Sequence, residues 1–344
     1  MIYIDLTGLC DRKWTGVENY ADLLFKLLIS KYNNVVGLTL GKDKQSKNLL
    51  TLGENKGRFT TEYIYIPKFI KTHKNDIFIF PVFPPSKICW KYSENIIPVI
   101  HDIVPWKFKK TMSIAARIIL VPRYHKAIKA KKIITVSETS KKELEKYNNK
   151  AEFYVIYNCI EINTKKTFNT DIIKKLGVEE KKYLITVSTL EPRKNLTYML
   201  KTIERVFKEI TDIKFVVIGR IGWGNLNIDF KDKEKVIFTG YLENDELNYL
   251  YKESLAFISL PIDEGFGRTP VEASSFGIPL FVSDIPIFHE ILHNSATYVT
   301  LENYDKAGQE IAQTIKSKSF IKYDNNIAEQ YSFNTLKKNI PDII

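Results

Sequence analysis

Short runs of consecutive apolar residues alternate with segments of helical periodicity along most of this chain. Continuous apolar runs are typical of parallel strands that are buried on both faces of a sheet. Between residues 196 and 210 the apolar positions recur three or four residues apart, which predicts an amphipathic helix. The repeated order of strand, helix and strand predicts an α/β fold built from doubly wound, Rossmann-like sheets. Thirteen strands are predicted, at residues 2–6, 35–40, 63–66, 77–80, 97–100, 133–136, 154–157, 183–187, 215–218, 236–238, 255–259, 280–282 and 297–299.

The alternation is interrupted between residues 161 and 176, where a polar stretch shows no apolar period. The charge balance changes sign in the same region: residues 1–165 carry 28 Lys and Arg against 15 Asp and Glu, whereas residues 166–344 carry 23 against 25. We therefore expect two α/β domains, residues 1–165 and 166–320, that face each other across a cleft. The remaining residues, 321–344, are predicted to form a helical segment that packs back on the first domain.

The composition is that of a folded globular protein, with 44% hydrophobic and 26% charged residues among 344. Three widely spaced cysteines without a C-x-x-C pair argue against a disulfide framework and a structural zinc site. No apolar run approaches the roughly 18 residues of a spanning helix, and the N-terminus shows no signal-like leader, so we expect a soluble, cytoplasmic protein. The net charge of +11 favours a nucleic acid, an anionic membrane surface or a phosphate-bearing substrate as partner, or else reflects a lysine-rich composition.

The common nucleotide-binding motifs are absent. Gly8 and Gly16 follow the first predicted strand without the G-x-G-x-x-G spacing, and Gly219, Gly222 and Gly224 are not followed by a helix-opening glycine. The sequence contains no P-loop motif and no D-x-D pair. We expect no metal site, and any bound diphosphate should be neutralised by side chains and backbone amides.

The most informative stretch is residues 261–273, which follows a predicted strand and opens a predicted helix near Arg268. Pro270 fits the first helical turn, where its missing N–H has no partner. The glycine-containing loop 264–267 therefore lies at a helix N-terminus, an arrangement that favours anions. Glu264 and Glu272 lie eight positions apart. Alternatively, Glu272 has only a structural role, as an acidic residue in the first turn of the helix that the helix dipole favours.

This string resembles the E-x7-E signature of retaining glycosyltransferases with the GT-B fold, specifically glycosyltransferase family 4. The resemblance covers nearly the whole chain and extends to the segments 16–20, 101–102, 136–141, 156–158, 191–195 and 284–286. It implies that the first domain is the acceptor side and that the second binds a nucleotide sugar. Residues 191–195 resemble the basic diphosphate clamp that opens the family's second domain. The chain departs from the family at Ser188 and Thr189, because many members carry an additional arginine several residues before the lysine of this clamp.

The resemblance assigns roles to individual residues. Lys194, with Arg193 second, is expected at the donor phosphates, Glu264 at the donor-sugar hydroxyls and His101 beside the donor sugar. The structural alternatives are an exposed lysine, a loop-capping carboxylate and a core hydrogen-bonding histidine, respectively. His101, Lys194 and Glu264 are the catalytic candidates. The donor-binding candidates are Gly16, Arg193, Lys194, Glu264, Gly265, Phe266, Gly267, Thr269, Glu272 at the nucleotide ribose, and Tyr241 and Leu242 at the base.

The implied reaction is transfer of a hexose, with mannose or rhamnose favoured, from a nucleotide diphosphate sugar to a glycan or polyprenyl-diphosphate-linked acceptor in bacterial polysaccharide biosynthesis. Retention of the anomeric configuration follows from the resemblance. Since the sequence has no D-x-D pair, we expect no metal and no other cofactor. Trp106, Lys107, Lys109 and Lys110 mix aromatic and cationic side chains, which favours an acceptor-side or membrane contact on the inner face of the cytoplasmic membrane.

Two other classes of function remain open from the sequence. An epimerase or phosphorylase of the same two-domain fold is one of them. A phosphorylase using pyridoxal phosphate should be much longer, and an epimerase should lack the paired glutamates. The other is a basic nucleic-acid-binding protein, for which the expected aromatic interleaving and reading motif are not evident, so no nucleic-acid partner is expected.

Overall fold

The computed structural model describes residues 1–9, 14–40, 48–53, 56–160, 167–222, 231–320 and 327–343. They form two compact units. The first comprises Met1–Lys109, Ile114–Cys159 and Phe333–Ile344, and the second comprises Lys110–Ser113 and Ile160–Ser332. The change of unit after Cys159 precedes the expected boundary at residue 165, which lies outside the described residues.

The first unit is a parallel α/β structure. Its strands are β1 (Ile2–Asp5), β2 (Val35–Thr39), β3 (Leu49–Thr51), β4 (Ile77–Phe80), β5 (Ile96–Pro98), β6 (Lys132–Thr135) and β7 (Glu152–Val155). Its helices are α1 (Gly16–Lys31), α2 (Arg58–Thr60), α3 (Ile66–Thr72), α4 (Val104–Lys107), α5 (Ile114–Ala127), α6 (Glu138–Glu145) and, near the C-terminus, α14 (Phe333–Asn339). The sheet order is β3-β2-β1-β4-β5, and a bridge between Val99 and Ile134 connects it to the parallel pair β6-β7.

The strand predicted at residues 63–66 is wrong, because this stretch is helical from Arg58 to Thr72 through a π-helical turn, Thr61–Tyr65, that joins α2 to α3. Aromatic and β-branched residues favoured a strand locally, but Thr61, Ile66 and Ile70 are buried at helical spacing. Pro67 lacks an N–H at the start of α3, and a wider turn tolerates this loss. β3, at the edge of the sheet, has no counterpart among the predicted strands.

The second unit contains one six-stranded parallel sheet. Its strands are β8 (Tyr183–Val187), β9 (Lys214–Ile218), β10 (Val236–Gly240), β11 (Ala256–Ser259), β12 (Leu280–Ser283) and β13 (Thr297–Val299). Its helices are α7 (Asp171–Leu176), α8 (Leu196–Glu209), α9 (Asn244–Glu253), α10 (Arg268–Ser274), α11 (Pro286–Leu292), α12 (Tyr304–Ser317) and α13 (Ile327–Gln330). Part of the stretch predicted to lack periodicity is therefore helix α7, which ends at Gly177 in the left-handed region (φ 60°).

The strands of the second sheet lie in the order β10-β9-β8-β11-β12-β13. All are parallel, but the strand numbers decrease up to β8 and increase from β11, so the order of connection reverses between these two strands. In an open parallel sheet, the loops that leave such neighbouring strands diverge and make a crevice at the strands' carboxyl ends. The helix predicted at residues 196–210 is confirmed as α8, whose buried face includes Met199, Ile203 and Phe207 and packs against α12. The core therefore fixes β8 and β11 side by side, and with them the loops that follow.

Candidate functional site

The loop after β8 presents two cations. Pro192–Lys194 forms a single 3₁₀ turn, in which the Lys194 amide donates to the Glu191 carbonyl at 3.0 Å. Asn195 follows in the left-handed region (φ 58°) and is the N-cap residue of α8. This reversal separates the turn from the helix, so Arg193 and Lys194 extend from the carboxyl end of the sheet.

Glu264, in the loop after β11, binds both cations. Its carboxylate pairs with Arg193 Nη1 at 2.8 Å through Oε2 and with Lys194 Nζ through Oε1. Backbone contacts tie the same loops together, since Arg193 Nη1 donates to the Asp263 carbonyl at 3.2 Å and the Ile262 amide donates to the Arg193 carbonyl at 2.9 Å. The clamp string and the first glutamate of the E-x7-E string therefore meet in one ionic cluster.

The charge of Glu264 is maintained by its partners. Burial tends to raise the pKa of this carboxyl, but the charges of Lys194 and Arg193 outweigh burial and lower the pKa. Glu264 is therefore a carboxylate at neutral pH, and it neutralises cations that otherwise face the crevice of the sheet.

Glu191 is a second carboxylate of the same cluster. Its Oε1 accepts from Arg193 Nε at 3.1 Å and lies 3.0 Å from Nη2, and its side chain is only 3% exposed. Burial raises the pKa of Glu191, against the lowering effect of Arg193 and Lys194. Arg193 thus lies between two carboxylates. The sequence alone assigns no role to Glu191, because its burial cannot be read from its neighbours in the chain.

The glycine loop before α10 is held by packing. Gly267 has φ 86°, and a Cβ there would lie 2.6 Å from Phe288 Cε1, so both backbone conformation and space require glycine. Phe266 is buried with its ring edge-on to Tyr331 at 5.1 Å, and Gly265 is buried as well. Phe266 therefore anchors the loop.

Two predicted donor ligands lie on α10 itself. Glu272 pairs with Arg268 at 3.2 Å, and both side chains are about one quarter exposed. Thr269, in the first turn of the helix, is half-buried. The helix begins at Arg268, as the sequence predicts.

The glycines after β9 allow close backbone approach. A Cβ on Gly219, which has φ 138°, would lie 1.8 Å from the Ser188 carbonyl oxygen, and one on Gly222 would lie 2.8 Å from Thr189 Cγ2. Both positions follow β9 and lie against the residues that follow β8, which leaves little room for a side chain. Gly224 lies outside the described residues.

The predicted base-binding pair follows β10. Tyr241 is 44% exposed, and the Arg220 guanidinium lies over its ring at 4.9 Å from the centroid. Leu242 is buried. Only the aromatic member of the pair therefore offers a surface for stacking.

In the first unit, His101 follows β5, and its side chain contacts residues of the same unit. Its Nε2 lies 2.8 Å from the Pro81 carbonyl oxygen, and its ring lies edge-on to Tyr20 at 5.0 Å. Burial lowers the pKa of His101, outweighing the raising effects of the Pro81 carbonyl and the Asp102 charge. A neutral ring that donates from Nε2 leaves Nδ1 as an acceptor.

Asp102 and Gly16 both lie at the start of a helix, and the contacts described there stabilise the helix. Asp102 Oδ1 accepts from the Val104 amide at 3.0 Å and so supports the first turn of α4. Gly16 opens α1, where Thr15 and Glu18 form a capping box.

The predicted aromatic and cationic cluster after His101 is partly engaged within the unit. The Trp106 ring lies 5.3 Å from the Tyr147 ring and 5.8 Å from that of Tyr124, and Lys107 pairs with Glu143 at 3.5 Å. Lys109 and Lys110 are exposed.

Neither a metal centre nor a spanning helix emerges from the part of the chain that the structure describes. Within those ranges, no three His, Cys, Asp or Glu side chains gather as a metal site requires. None of the described helices combines the length and hydrophobicity needed to cross a bilayer.

Comparison with known proteins shows a similarity to glycosyltransferases in the second unit. Residues 168–331 match the family described as "Glycosyl transferases group 1". The O-antigen chain mannosyltransferase RfbU of Salmonella typhimurium is 31% identical over 248 residues, which are 70% of this chain and 66% of that protein. The serotype-specific mannosyltransferase WbdA of Escherichia coli is 30% identical over 138 residues, 38% of this chain and 16% of WbdA. The chain thus spans less than two thirds of these relatives.

Solved structures resemble the whole chain in fold. WaaG, a glycosyltransferase involved in lipopolysaccharide biosynthesis, superposes with a TM-score of 0.66 at 14% identity, covering 98% of both chains. Anabaena Alr3699/HepE, solved in complex with UDP and glucose, has a TM-score of 0.68 at 16% identity, covering 98% of this chain and 97% of that one. Residues 168–331 are therefore similar to the glycosyl transferases group 1 family, and the chain has the GT-B fold of two Rossmann-like units.

Proposed function

We propose that this protein is a retaining hexosyltransferase that moves mannose from a nucleoside diphosphate to a glycan or polyprenyl-diphosphate-linked acceptor in bacterial surface-polysaccharide synthesis, at the inner face of the cytoplasmic membrane. The observation that carries the proposal is the cluster of Arg193, Lys194 and Glu264 at the β8/β11 reversal. Two cations beside a carboxylate match a donor with a diphosphate at one end and a hydroxyl-rich sugar at the other. Similarity to RfbU and WbdA supports mannose and an O-antigen product.

When the donor binds, Lys194 and Arg193 exchange one anionic partner for another. The diphosphate takes the place of the Glu264 carboxylate on Lys194 and Arg193, because phosphate oxygens carry more charge and accept the guanidinium fork in the same way. The released carboxylate then accepts hydrogen bonds from the sugar hydroxyls. Glu191 keeps its contacts to Nε and Nη2 of Arg193 and so holds the guanidinium in place during the exchange.

Catalysis is electrostatic in this scheme. Lys194 offsets the negative charge that develops on the leaving diphosphate, an effect of about 3–4 kcal/mol by analogy with a single oxyanion donor. Glu264 stabilises the oxocarbenium-like charge of the sugar, and Glu272 accepts from the ribose hydroxyls. The leaving phosphate oxygen takes the proton of the acceptor hydroxyl on the same face, which retains the anomeric configuration without an enzyme nucleophile or a metal.

His101 is proposed to act at the sugar end of the donor. Its neutral ring keeps Nδ1 free to accept from a sugar hydroxyl while the Pro81 carbonyl fixes the ring through Nε2. This role orients the sugar, and it does not require the ring to change its protonation state.

The deciding experiment is a donor screen followed by a transfer assay. Thermal shift with GDP-mannose, dTDP-rhamnose, UDP-glucose and UDP-N-acetylglucosamine should identify one donor that raises the melting temperature, through preferential binding to the folded state. NMR of the product should then show transfer that depends on the acceptor and an unchanged anomeric configuration. Conversion of the donor without acceptor indicates an epimerase instead, and stabilisation by nucleic acid alone rejects the proposal.

A further inference from the structure

The loops that follow β8, β9 and β10 are joined by backbone hydrogen bonds at the carboxyl edge of the second sheet. After β8, the Leu190 amide donates to the Arg220 carbonyl at 2.8 Å, which ties this loop to the one after β9. The Gly219 amide donates to the Gly240 carbonyl at 2.9 Å, which ties the end of β9 to the end of β10. The three loops therefore lie in one row, and the 3₁₀ turn Pro192–Lys194 with its two cations lies at one end of it.

A β-bulge ends β10 and precedes Tyr241. The register between β10 and β9 skips one residue between Phe238 and Gly240. An extra residue of this kind bends a strand and changes the direction of the side chains that follow it. Tyr241 comes next and is 44% exposed. Its ring is therefore presented at the carboxyl edge of the sheet, in the loop beside that of Arg220.

The Arg220 side chain extends towards the loop after β10 and lies on this ring. Its guanidinium is 4.9 Å from the centroid of Tyr241, and Arg220 is exposed. Within the described residues, no carboxylate pairs with this guanidinium, whereas Arg193 is paired with two. A guanidinium that lies over an aromatic ring keeps N–H donors at the edge of its own plane. Arg220 therefore offers a hydrogen-bonding fork next to a surface for stacking.

The place of this fork in the sheet suits the base of a nucleotide. Neighbouring strands lie about 5 Å apart, so β10 is about 10 Å from β8. In a nucleoside diphosphate, the ribose separates the base from the diphosphate. A donor whose diphosphate is held after β8 is therefore able to place its base after β10, beside Arg220 and Tyr241.

The donors of Arg220 distinguish one base from the others. Guanine presents two adjacent acceptors, O6 and N7, which accept the two parallel N–H bonds of a guanidinium. Adenine presents a donor beside N7, and uracil and thymine present the single acceptor O4. A lysine in the same place would supply charge but not the planar fork. The geometry of an arginine on an aromatic ring is thus complementary to guanine.

We propose that Arg220 is a specificity-determining residue that selects guanosine diphosphate sugars by donating to O6 and N7 of the guanine, with Tyr241 holding the guanidinium in place. This inference rests on the proposed function, because it requires the diphosphate of the donor at Lys194 and Arg193. It goes beyond that function by naming the base. It also separates the roles of the arginines, since Arg193 binds the diphosphate and Arg220 binds the base.

The test is isothermal titration calorimetry of the full chain with GDP, UDP, ADP and 7-deaza-GDP, in which a carbon atom replaces N7 of guanine. The wild type should bind GDP at least about tenfold more tightly than UDP or ADP. It should bind 7-deaza-GDP about fivefold more weakly than GDP, because one hydrogen bond from a charged donor is lost. Arg220→Met keeps an unbranched side chain without donors. It should weaken GDP binding about tenfold, change UDP binding at most about twofold, and bind GDP and 7-deaza-GDP equally.

Two further variants separate the fork from charge and from arginine–aromatic contacts in general. Arg220→Lys retains the charge but should still lose the preference for guanine. Arg58→Met is the matched control, because the Arg58 guanidinium also lies over an aromatic ring, that of Phe83 at 5.4 Å in the first unit. This variant should bind each nucleotide as the wild type does. Circular dichroism checks that the variants fold, and Arg220→Lys measures the preference if Arg220→Met does not fold.

The outcomes distinguish this inference from the proposed function. Equal binding of GDP and UDP by the wild type, or a preference for guanine that survives in Arg220→Met or Arg220→Lys, would overturn the role of Arg220. Either result would leave the diphosphate site at Lys194 and Arg193 standing. A wild type that binds none of the nucleoside diphosphates would overturn both.

Discussion

Lys194 and Glu264 form an ion pair across two loops, although the sequence assigns them to opposite ends of one donor molecule. In the structure each neutralises the other, and Arg193 shares the same carboxylate at 2.8 Å. A donor that occupies this site must therefore break the pair before either residue performs its proposed role. This competition leads to the first prediction.

Glu264→Gln should bind a free nucleoside diphosphate more tightly while losing transfer activity. The amide is nearly isosteric, but it leaves Lys194 without this carboxylate and Arg193 with Glu191 alone. GDP affinity should therefore rise about fivefold, the equivalent of roughly 1 kcal/mol for one ion pair. Turnover should fall about a hundredfold or more, since the charge that stabilises the sugar is gone. Isothermal titration calorimetry and a steady-state transfer assay measure the two effects.

The matched control for this variant is Glu272→Gln, eight residues further along the chain. Its proposed partner is the ribose, so the same chemical change should weaken GDP binding there. Weaker binding in both variants, or full turnover in Glu264→Gln, would contradict the partner exchange.

Lys194→Ala should weaken nucleoside diphosphate binding and lower turnover together, because the lysine serves both the bound phosphate and the leaving group. The expected loss in kcat is about 10²–10³-fold, by analogy with one oxyanion donor. Wild-type activity should persist in EDTA. Activity that survives the substitution but disappears with EDTA would assign the phosphate to a metal instead.

His101→Asn should remove a pH dependence of stability. The pKa of His101 is lowered by burial, so below about pH 6.5 the unfolded chain takes up a proton that the folded chain resists. The free energy of unfolding that this residue contributes is present above its unfolded pKa and is lost as pH falls towards the folded pKa. Urea unfolding at pH 7.5 and 5.5 should therefore show a smaller pH-dependent loss in the variant.

The kinetic consequence of replacing His101 tests its proposed place at the sugar. Turnover should fall more than GDP affinity does, since GDP lacks the sugar. Equal losses in both quantities would instead support a purely structural histidine.

Gly267→Ala should destabilise the second unit by about 2–4 kcal/mol, because alanine is strained at φ 86° and its Cβ would collide with the Phe288 ring. Gly277→Ala is the matched control, since Gly277 also has positive φ (67°) but has open space around its Cβ position. We expect about 1 kcal/mol there. Denaturant unfolding of both variants gives the comparison, and similar losses would mean that the Phe288 contact relaxes at little cost.

The sequence predicts much of the sheet architecture because parallel strands that are buried on both faces need continuous apolar runs. It fails at residues 63–66, where the local residue types favour a strand. The structure has a helical segment there, which is buried against the first sheet and is accompanied by the Arg123–Glu62 ion pair. It also misses β3, whose residues are only partly buried at the sheet edge and so carry a weak apolar signal.

At the candidate site, the sequence likewise identifies the residues but not the contacts between them. Arg193, Lys194 and Glu264 are recognisable in the sequence because their residue types and spacings match a family motif. Their mutual pairing is not, because it depends on two loops about seventy positions apart reaching one point. The role of Glu191 depends on burial, which only the folded sheet provides.

β8 and β11 are neighbours in the sheet although β9 and β10 intervene along the chain. Closing so long a segment is entropically costly, so we expect the contact between β8 and β11 to form late in folding. A fragment or folding intermediate that stops before β11 contains Lys194 and Arg193 but not the carboxylate loop that faces them. Binding of a nucleotide that needs both loops consequently reports that the second unit is fully folded. Its addition to a refolding chain should stabilise the folded unit without accelerating the folding steps that precede the pairing of β8 with β11.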